Sequence, residues 1–294
     1  MKYLLLALCV GHSLHTLSQE DKAIDLSWKV AKGEPLVYTT IMSEIDSAST
    51  DMELESLFKA FPDSSDTALQ EKKEFINRYT QVYKNLDYIT TLSTEKGDVI
   101  DIVMTSVPTV DLKHVVDDST LLADPGFLQA LEARNNEVVL RGSVYPSGEI
   151  HSFWVRSNQK NLIALFFQLP TEPVKIGDKW PLTTHLINND HNFQCDSAYY
   201  KNEVSLVDIN TVEGVTIATI TYDIVEYVQG RVKTISVFQG DFEEVLTKMS
   251  FSYQATAEFS IDQGRWITYD GILSLTSSGA LTVSKKTRYA LLEK

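Results

Sequence analysis

Residues 251–294 read FSYQATAEFSIDQGRWITYDGILSLTSSGALTVSKKTRYALLEK, and this stretch decides the fold. It divides into three extended runs, 251–261, 265–275 and 280–291, separated by Asp262-Gln263-Gly264 and Ser277-Ser278-Gly279. Short Gly-containing breaks between β-rich runs are hairpin signals. Each run reaches ten residues or more, beyond the five or six usual for a strand. Long antiparallel strands joined by tight turns predict a strongly curved sheet, closed as a barrel or left open as a half-barrel.

The same pattern continues towards the amino terminus. Residues 203–208 pair with 215–225 across Glu213-Gly214, and 138–145 with 149–156 across Pro146-Ser147-Gly148. Residues 86–92 and 99–107 flank a third turn at 95–98. Residues 26–45 are mostly extended, with Trp28, Val30, Leu36, Tyr38 and Thr40 alternating around a break at 33–35. The continuous apolar run 162–169 fits a strand buried on both faces. Helical period appears in the first half. Asp51 caps a helix whose Leu54, Leu57, Phe58 and Phe61 share one face. A second helix from Asp66 aligns Leu69, Ile76, Tyr79 and Tyr83, although residues 79–92 also read as a strand, and a short third helix starts at Asp124-Pro125 and runs to about 134. The expected class is therefore mainly β with a few helices (α+β), the helices lying mostly in the first half. Residues 19–294 form one β-rich domain, with 169–174, which holds Pro170 and Pro173, as the candidate division into two packed subdomains.

Residues 1–18 read as a secretory signal: Lys2 gives the charge, residues 4–10 are an unbroken apolar run, and Thr16-Leu17-Ser18 is a small-residue exit. The run is too short to cross a bilayer, and no later segment approaches the ~20 apolar residues a transmembrane helix needs. Lipid attachment at Cys9 is disfavoured, because Leu8 precedes it where a small residue is needed. Export to the periplasm or cell surface follows, and Cys195 is then the only cysteine left in the mature chain. The net charge is −14, or −15 once Lys2 is removed, with acids spread along the chain. Such a surface repels phosphate backbones, which excludes nucleic acid as a partner. An outer-membrane barrel fits poorly with the helical segments and with a Leu291-Leu292-Glu293-Lys294 ending that lacks an aromatic.

A nucleophilic enzyme needs an activated Ser, Cys or Thr beside a base. No G-x-S-x-G and no Gly-rich phosphate loop occur, and no catalytic residue or cofactor is expected. The strongest chemical cluster is His185, Asp190, His191, Cys195 and Asp196. These are metal-ligating types, with His185, His191 and Cys195 as weak candidates, but the spacing is not a compact zinc pattern. The acidic runs at 51–55 and 241–244 lack the spaced oxygens and turning Gly of a calcium loop.

Residues 169–180 contain Leu169-Pro170, then Pro173-Val174, Gly177-Asp178 and Trp180. This Leu-Pro…Pro-Val-x-x-Gly-Asp-x-Trp segment, with the pattern around 259–266, resembles a family of uncharacterised secreted proteins of Bacteroidota. The resemblance covers roughly the second half of the chain. It implies export and a β-rich envelope fold, and it transfers no activity and no site. The motif has a structural reading too, as a turn at Gly177-Asp178 that returns Trp180 to a sheet as an apolar anchor.

The leading expectation is an exported, non-enzymatic envelope protein that binds an apolar small molecule or lipid, or an envelope protein partner. Leu54, Leu57, Phe58 and Phe61 are the weak ligand-binding candidates, placed to cover the mouth of a curved sheet or simply to complete a core. The alternative is a structural or protein-interaction module with no small-molecule site.

Overall fold

The computed structural model describes residues 23–46, 85–94, 98–107, 137–155, 161–187, 193–235, 242–280 and 282–294. The helices expected at 51–61, from Asp66 and at 124–134 fall outside these residues, as do the signal segment and Cys9.

Eleven strands make one antiparallel sheet: β1 (Leu36–Asp46), β2 (Asn85–Ser93), β3 (Ile100–Ser106), β4 (Val138–Val144), β5 (Ile150–Val155), β6 (Lys179–Trp180), β7 (Phe193–Val212), β8 (Val215–Ile235), β9 (Phe242–Ser260), β10 (Arg265–Ser278) and β11 (Val283–Glu293). Their order is β5-β4-β3-β2-β1-β11-β10-β9-β8-β7-β6. The first and last strands of that order, β5 and β6, do not pair, so the sheet is open rather than a closed barrel. The hairpins expected from the sequence all form, and several run further than expected: β7, β8 and β9 have 20, 21 and 19 residues. Strands from both sides of 169–174 join this one sheet. Between β7 and β8, Glu213 (φ 51°) and Gly214 (φ 82°) both take left-handed backbone, the two-residue turn whose twist matches the strands it joins.

One element overturns its expectation. Residues 162–169 do not form a strand; Leu162–Phe167 is a helix, α1, with all six residues buried. A run buried on every side has no polar face to reveal its period, so strand and helix read alike. The composition held the better clue, because Ile163 is the one β-branched residue among Leu, Ala and Phe. Among the described residues α1 is the one helix, and it lies in the second half.

Helix α1 bends the sheet. It touches β4 and β5 on one side and bonds to Trp266 and Tyr269 of β10 on the other. Five strand spacings separate β4 from β10, about 24 Å in a flat sheet. A helix is only about 10–12 Å across with its side chains, so the sheet must curl around it. Gly142 of β4 allows the closest approach. A Cβ there would stand 2.5 Å from Ile163 Cδ1 and 2.8 Å from the Ser152 carbonyl oxygen.

A six-residue helix cannot persist alone, and its last carbonyls lack partners within the helix. Three consecutive ones are satisfied by aromatic donors. Tyr269 Oη donates to the Leu165 oxygen (2.8 Å), Trp266 Nε1 to Phe166 (2.7 Å) and Trp28 Nε1 to Phe167 (2.9 Å). Trp266 and Tyr269 are three apart, an odd step that would put them on opposite faces of a regular strand. A register shift between Trp266 and Thr268 turns both inward. Tyr38 Oη covers the irregularity, accepting from the Trp266 N–H (3.1 Å) and donating to the Trp266 carbonyl (3.4 Å). Trp28, Phe259 and Trp266 close the layer edge-to-face at 5.0–5.9 Å.

Tyr269→Phe keeps the shape of the ring but leaves the buried Leu165 carbonyl and Tyr253 Oη short of a partner. Urea unfolding should show a loss of about 1–3 kcal/mol with an unchanged m-value. A loss below about 0.5 kcal/mol would mean that the carbonyl cap contributes little.

Candidate functional site

Strand registers carry the helix-bearing, concave face outward from α1 in successive rows. The row against the helix is Ile220, Ala257, Tyr269, Leu291 and Thr40, all buried. Next come Tyr222, Ala255, Gly271, Tyr289 and Met42, then Ile224, Tyr253, Leu273, Thr287 and Glu44. Beyond them lie Glu226, Phe251, Leu275 and Lys285, followed by Val228, Met249, Ser277 and Val283. Burial falls along this series: Phe251, Leu275, Met249 and Val283 are only half-buried. The long strands thus continue well past the helix and keep an apolar strip on the concave face.

A layer of tyrosines forms the floor of that strip. Tyr253 Oη and Tyr269 Oη lie 2.8 Å apart, and Tyr222 packs edge-to-face on both rings at 6.2 and 5.5 Å. Tyr289 meets Tyr253 at 6.1 Å. Burial raises the phenol pKa values of Tyr38, Tyr222, Tyr253 and Tyr269, and pushes that of Tyr289 up to about 12. The Gly271 position admits this packing, since a Cβ there would stand 2.5 Å from Tyr253 Oη.

Charges flank the strip. On one side Lys285 Nζ pairs with Glu44 Oε2 at 3.1 Å, the Glu44 side chain being 6% exposed. On the other, a Glu226 carboxylate oxygen accepts from the Ile187 N–H at 2.7 Å. Tyr200 Oη donates to the Thr184 carbonyl and accepts from Asn202 Nδ2, which ties β7 to the 182–187 segment. A hollow of about 610 Å³ lies at the other rim of the sheet, bordered by Lys29, Glu34, Gln263, Arg265, Glu293 and Lys294. Val30, Ala31, Pro35, Leu36 and Val37 complete its lining, so charged and apolar surface are mixed there.

Of the sequence candidates, His185, Cys195 and Asp196 fall among the described residues. Leu54, Leu57, Phe58, Phe61, Asp190 and His191 lie outside the described residues. His185 is exposed, and its backbone N–H and carbonyl bond to the Asn161 side chain at 3.0 and 2.9 Å. Cys195 is an exposed thiol on β7 whose Sγ reaches the Ser197 carbonyl at 3.4 Å, so it is not buried as a lone thiol usually is. Among the described residues no three His, Cys, Asp or Glu side chains are grouped to hold a metal. Trp180 is 9% exposed in β6, opposite Val204, after a turn in which Gly177 has φ 91° and Lys175 N–H donates to Asp178 Oδ2. That is the anchoring arrangement read from the motif.

One pairing was not visible in the sequence. Ser143 Oγ lies 3.1 Å from His151 Nδ1 and 2.8 Å from Ser152 Oγ. Ser143 is 5% exposed and His151 packs its ring on Tyr145. The hydroxyl is closed in and, among the described residues, no carboxylate bonds to the imidazole, so the group ties β4 to β5 without the orienting acid of a serine triad. No helix of the described residues is long and apolar enough to cross a membrane. No model of a known protein family matches the chain, and no curated protein matches it.

The tyrosine layer gives an alkaline limit to stability. Folded pKa values above the unfolded value near 10 mean that this stability is complete below pH 10 and is lost as pH rises through the folded values. Each of the five tyrosines contributes a slope of up to about 1.4 kcal/mol per pH unit above pH 10. Stability followed by urea unfolding should therefore be insensitive to these groups to pH 10 and then fall steeply. Apart from the absorbance of exposed tyrosines such as Tyr199 and Tyr200, the tyrosinate signal of Tyr38, Tyr222, Tyr253, Tyr269 and Tyr289 should rise together with unfolding. Completion of the whole tyrosinate signal while the protein is still folded would contradict a sealed layer.

Proposed function

We propose that the protein is an exported, non-enzymatic component of the cell envelope that holds an apolar molecule, such as a lipid chain, on the concave face of its open sheet. The observation that carries this reading is the half-buried strip of Phe251, Leu275, Met249 and Val283, continuous with the tyrosine floor and lying beyond the part of the sheet that α1 fills. Apolar sites of this kind take their affinity from water released by the chain. At about 0.8 kcal/mol per buried methylene, ten methylenes yield about 8 kcal/mol before association costs are deducted. The export half of the proposal rests on the amino-terminal charge, apolar run and small-residue exit.

A rival reading, an interaction module with no small-molecule site, draws its support from the other end of the sheet. There α1 and the Trp28, Phe259 and Trp266 rings fill the space.

Native mass spectrometry of protein purified from its host's envelope separates the two. The apolar-ligand reading expects a co-purifying apolar molecule, reduced at least ten-fold in occupancy by Phe251→Asp in protein that remains folded by circular dichroism. A bare mass, or a stoichiometric protein partner instead of a small molecule, would favour the interaction module.

A further inference from the structure

We propose that β5 is a docking edge for an extended, basic segment of another protein, independently of what the concave face holds. Among the described residues β5 ends the sheet: it pairs with β4 on one side and with no strand on the other. An edge strand presents unpaired N–H and C=O groups, and sheets usually blunt such edges with charges, proline, bulges or a covering segment. The opposite side of this sheet is blunted in those ways. There β6 covers Val204 and Ser205, β7 is irregular between Cys195 and Ser197, and Asp196, Lys201 and Glu203 line the strand with charge.

Among the described residues, β5 carries one of these devices, a bulge at His151, and none from Ser152 to Val155. Its sequence, IHSFWV, contains no fixed charge and no proline, and its one irregularity lies at its first turn of pairing, opposite Ser143 and Val144. Its polar side chains turn back on β4, where Ser143 Oγ engages His151 and Ser152. Its large exposed apolar side chains are Phe153, 53% exposed, and Trp154, 57% exposed, beside the exposed His151 and Ser152. The two aromatics are consecutive, so one stands on each face of the strand, ready to pack against the alternating side chains of an added strand.

Two observations select the occupant. Six residues of edge suit strand addition by a peptide, which draws affinity from main-chain hydrogen bonds over a short length. Stable docking of two whole copies calls for roughly 1,200 Å² or more of buried surface. The charge points the same way. β4 and β5 together carry one fixed charge, Arg141, on a chain of net charge −14. The long-range field therefore repels a second copy and draws a cationic segment to a neutral edge.

The test uses the full mature chain and a fluorescent peptide, Lys-Lys-Val-Thr-Val-Tyr-Val-Thr-Lys-Lys, beside its counterpart with Glu for every Lys. Anisotropy at low salt should show the basic peptide binding at least ten-fold more tightly. Hydrogen exchange should show its protection centred on residues 150–155. Phe153→Lys and Trp154→Lys should each weaken binding at least ten-fold, while Val212→Lys, an equal change of charge at an exposed site by the β7–β8 turn, leaves it within two-fold. Equal binding by all variants, protection elsewhere, or no binding would overturn the proposal. So would dimerisation that protects 150–155 without peptide, since the edge would then belong to a second copy.

Discussion

Three aromatic donors on the carbonyl end of a six-residue helix hold this architecture together. Leu162–Phe167 is apolar on every side, so it can exist only inside the protein, and its last carbonyls cannot reach water there. Trp28, Trp266 and Tyr269 answer them one for one. Each donor comes from a large ring that also fills the core, so hydrogen bonding and packing are met by the same side chains. The donors come from the segment before β1 and from β10, and the helix packs on β4 and β5 as well. Strands far apart in the sheet order are thereby gathered around one small element.

Curvature, and with it the candidate site, follows from that gathering. The sheet bends where the helix fills it, and β7–β11 are long enough to continue beyond it. The concave strip is therefore a consequence of strand length exceeding helix length. The bulge at Trp266–Thr268 matters more than its size suggests, because it lets Trp266 and Tyr269 face the same way. Tyr38 then satisfies the backbone groups that the bulge leaves unpaired. Each neighbouring tyrosine along the floor is buried beside another ring, which ties stability to the neutral phenol form.

Most strands were legible in the sequence because their turns announce themselves. Asp262-Gln263-Gly264, Glu213-Gly214 and Pro146-Ser147-Gly148 each stand between β-rich runs, and each is a hairpin connection in the fold. The helix was not legible, since a fully buried run has no amphipathic period. Nor was the open form of the sheet, because closure depends on which strands pair at its ends and no local pattern encodes that. The strip containing Phe251 and Leu275 has no local sequence signature for a related reason. Its members come from separate strands and meet only through register. The Ser143–His151 contact arises in the same way, across a hairpin. By contrast, His185 and Cys195 are close in sequence but stand in different settings, one in a loop and the other on an exposed strand face.

The decisive property is whether α1 is an integral part of the cooperative core. Native-state hydrogen exchange of the amides of residues 165–169, compared with those of β9 and β10, tests this directly. If the aromatic donors hold the helix as described, these amides exchange only through global unfolding, with the same opening free energy as the central strands. Exchange by a local opening several kcal/mol below that of β9 and β10 would contradict it, and the sheet would then owe its curvature to something other than the helix.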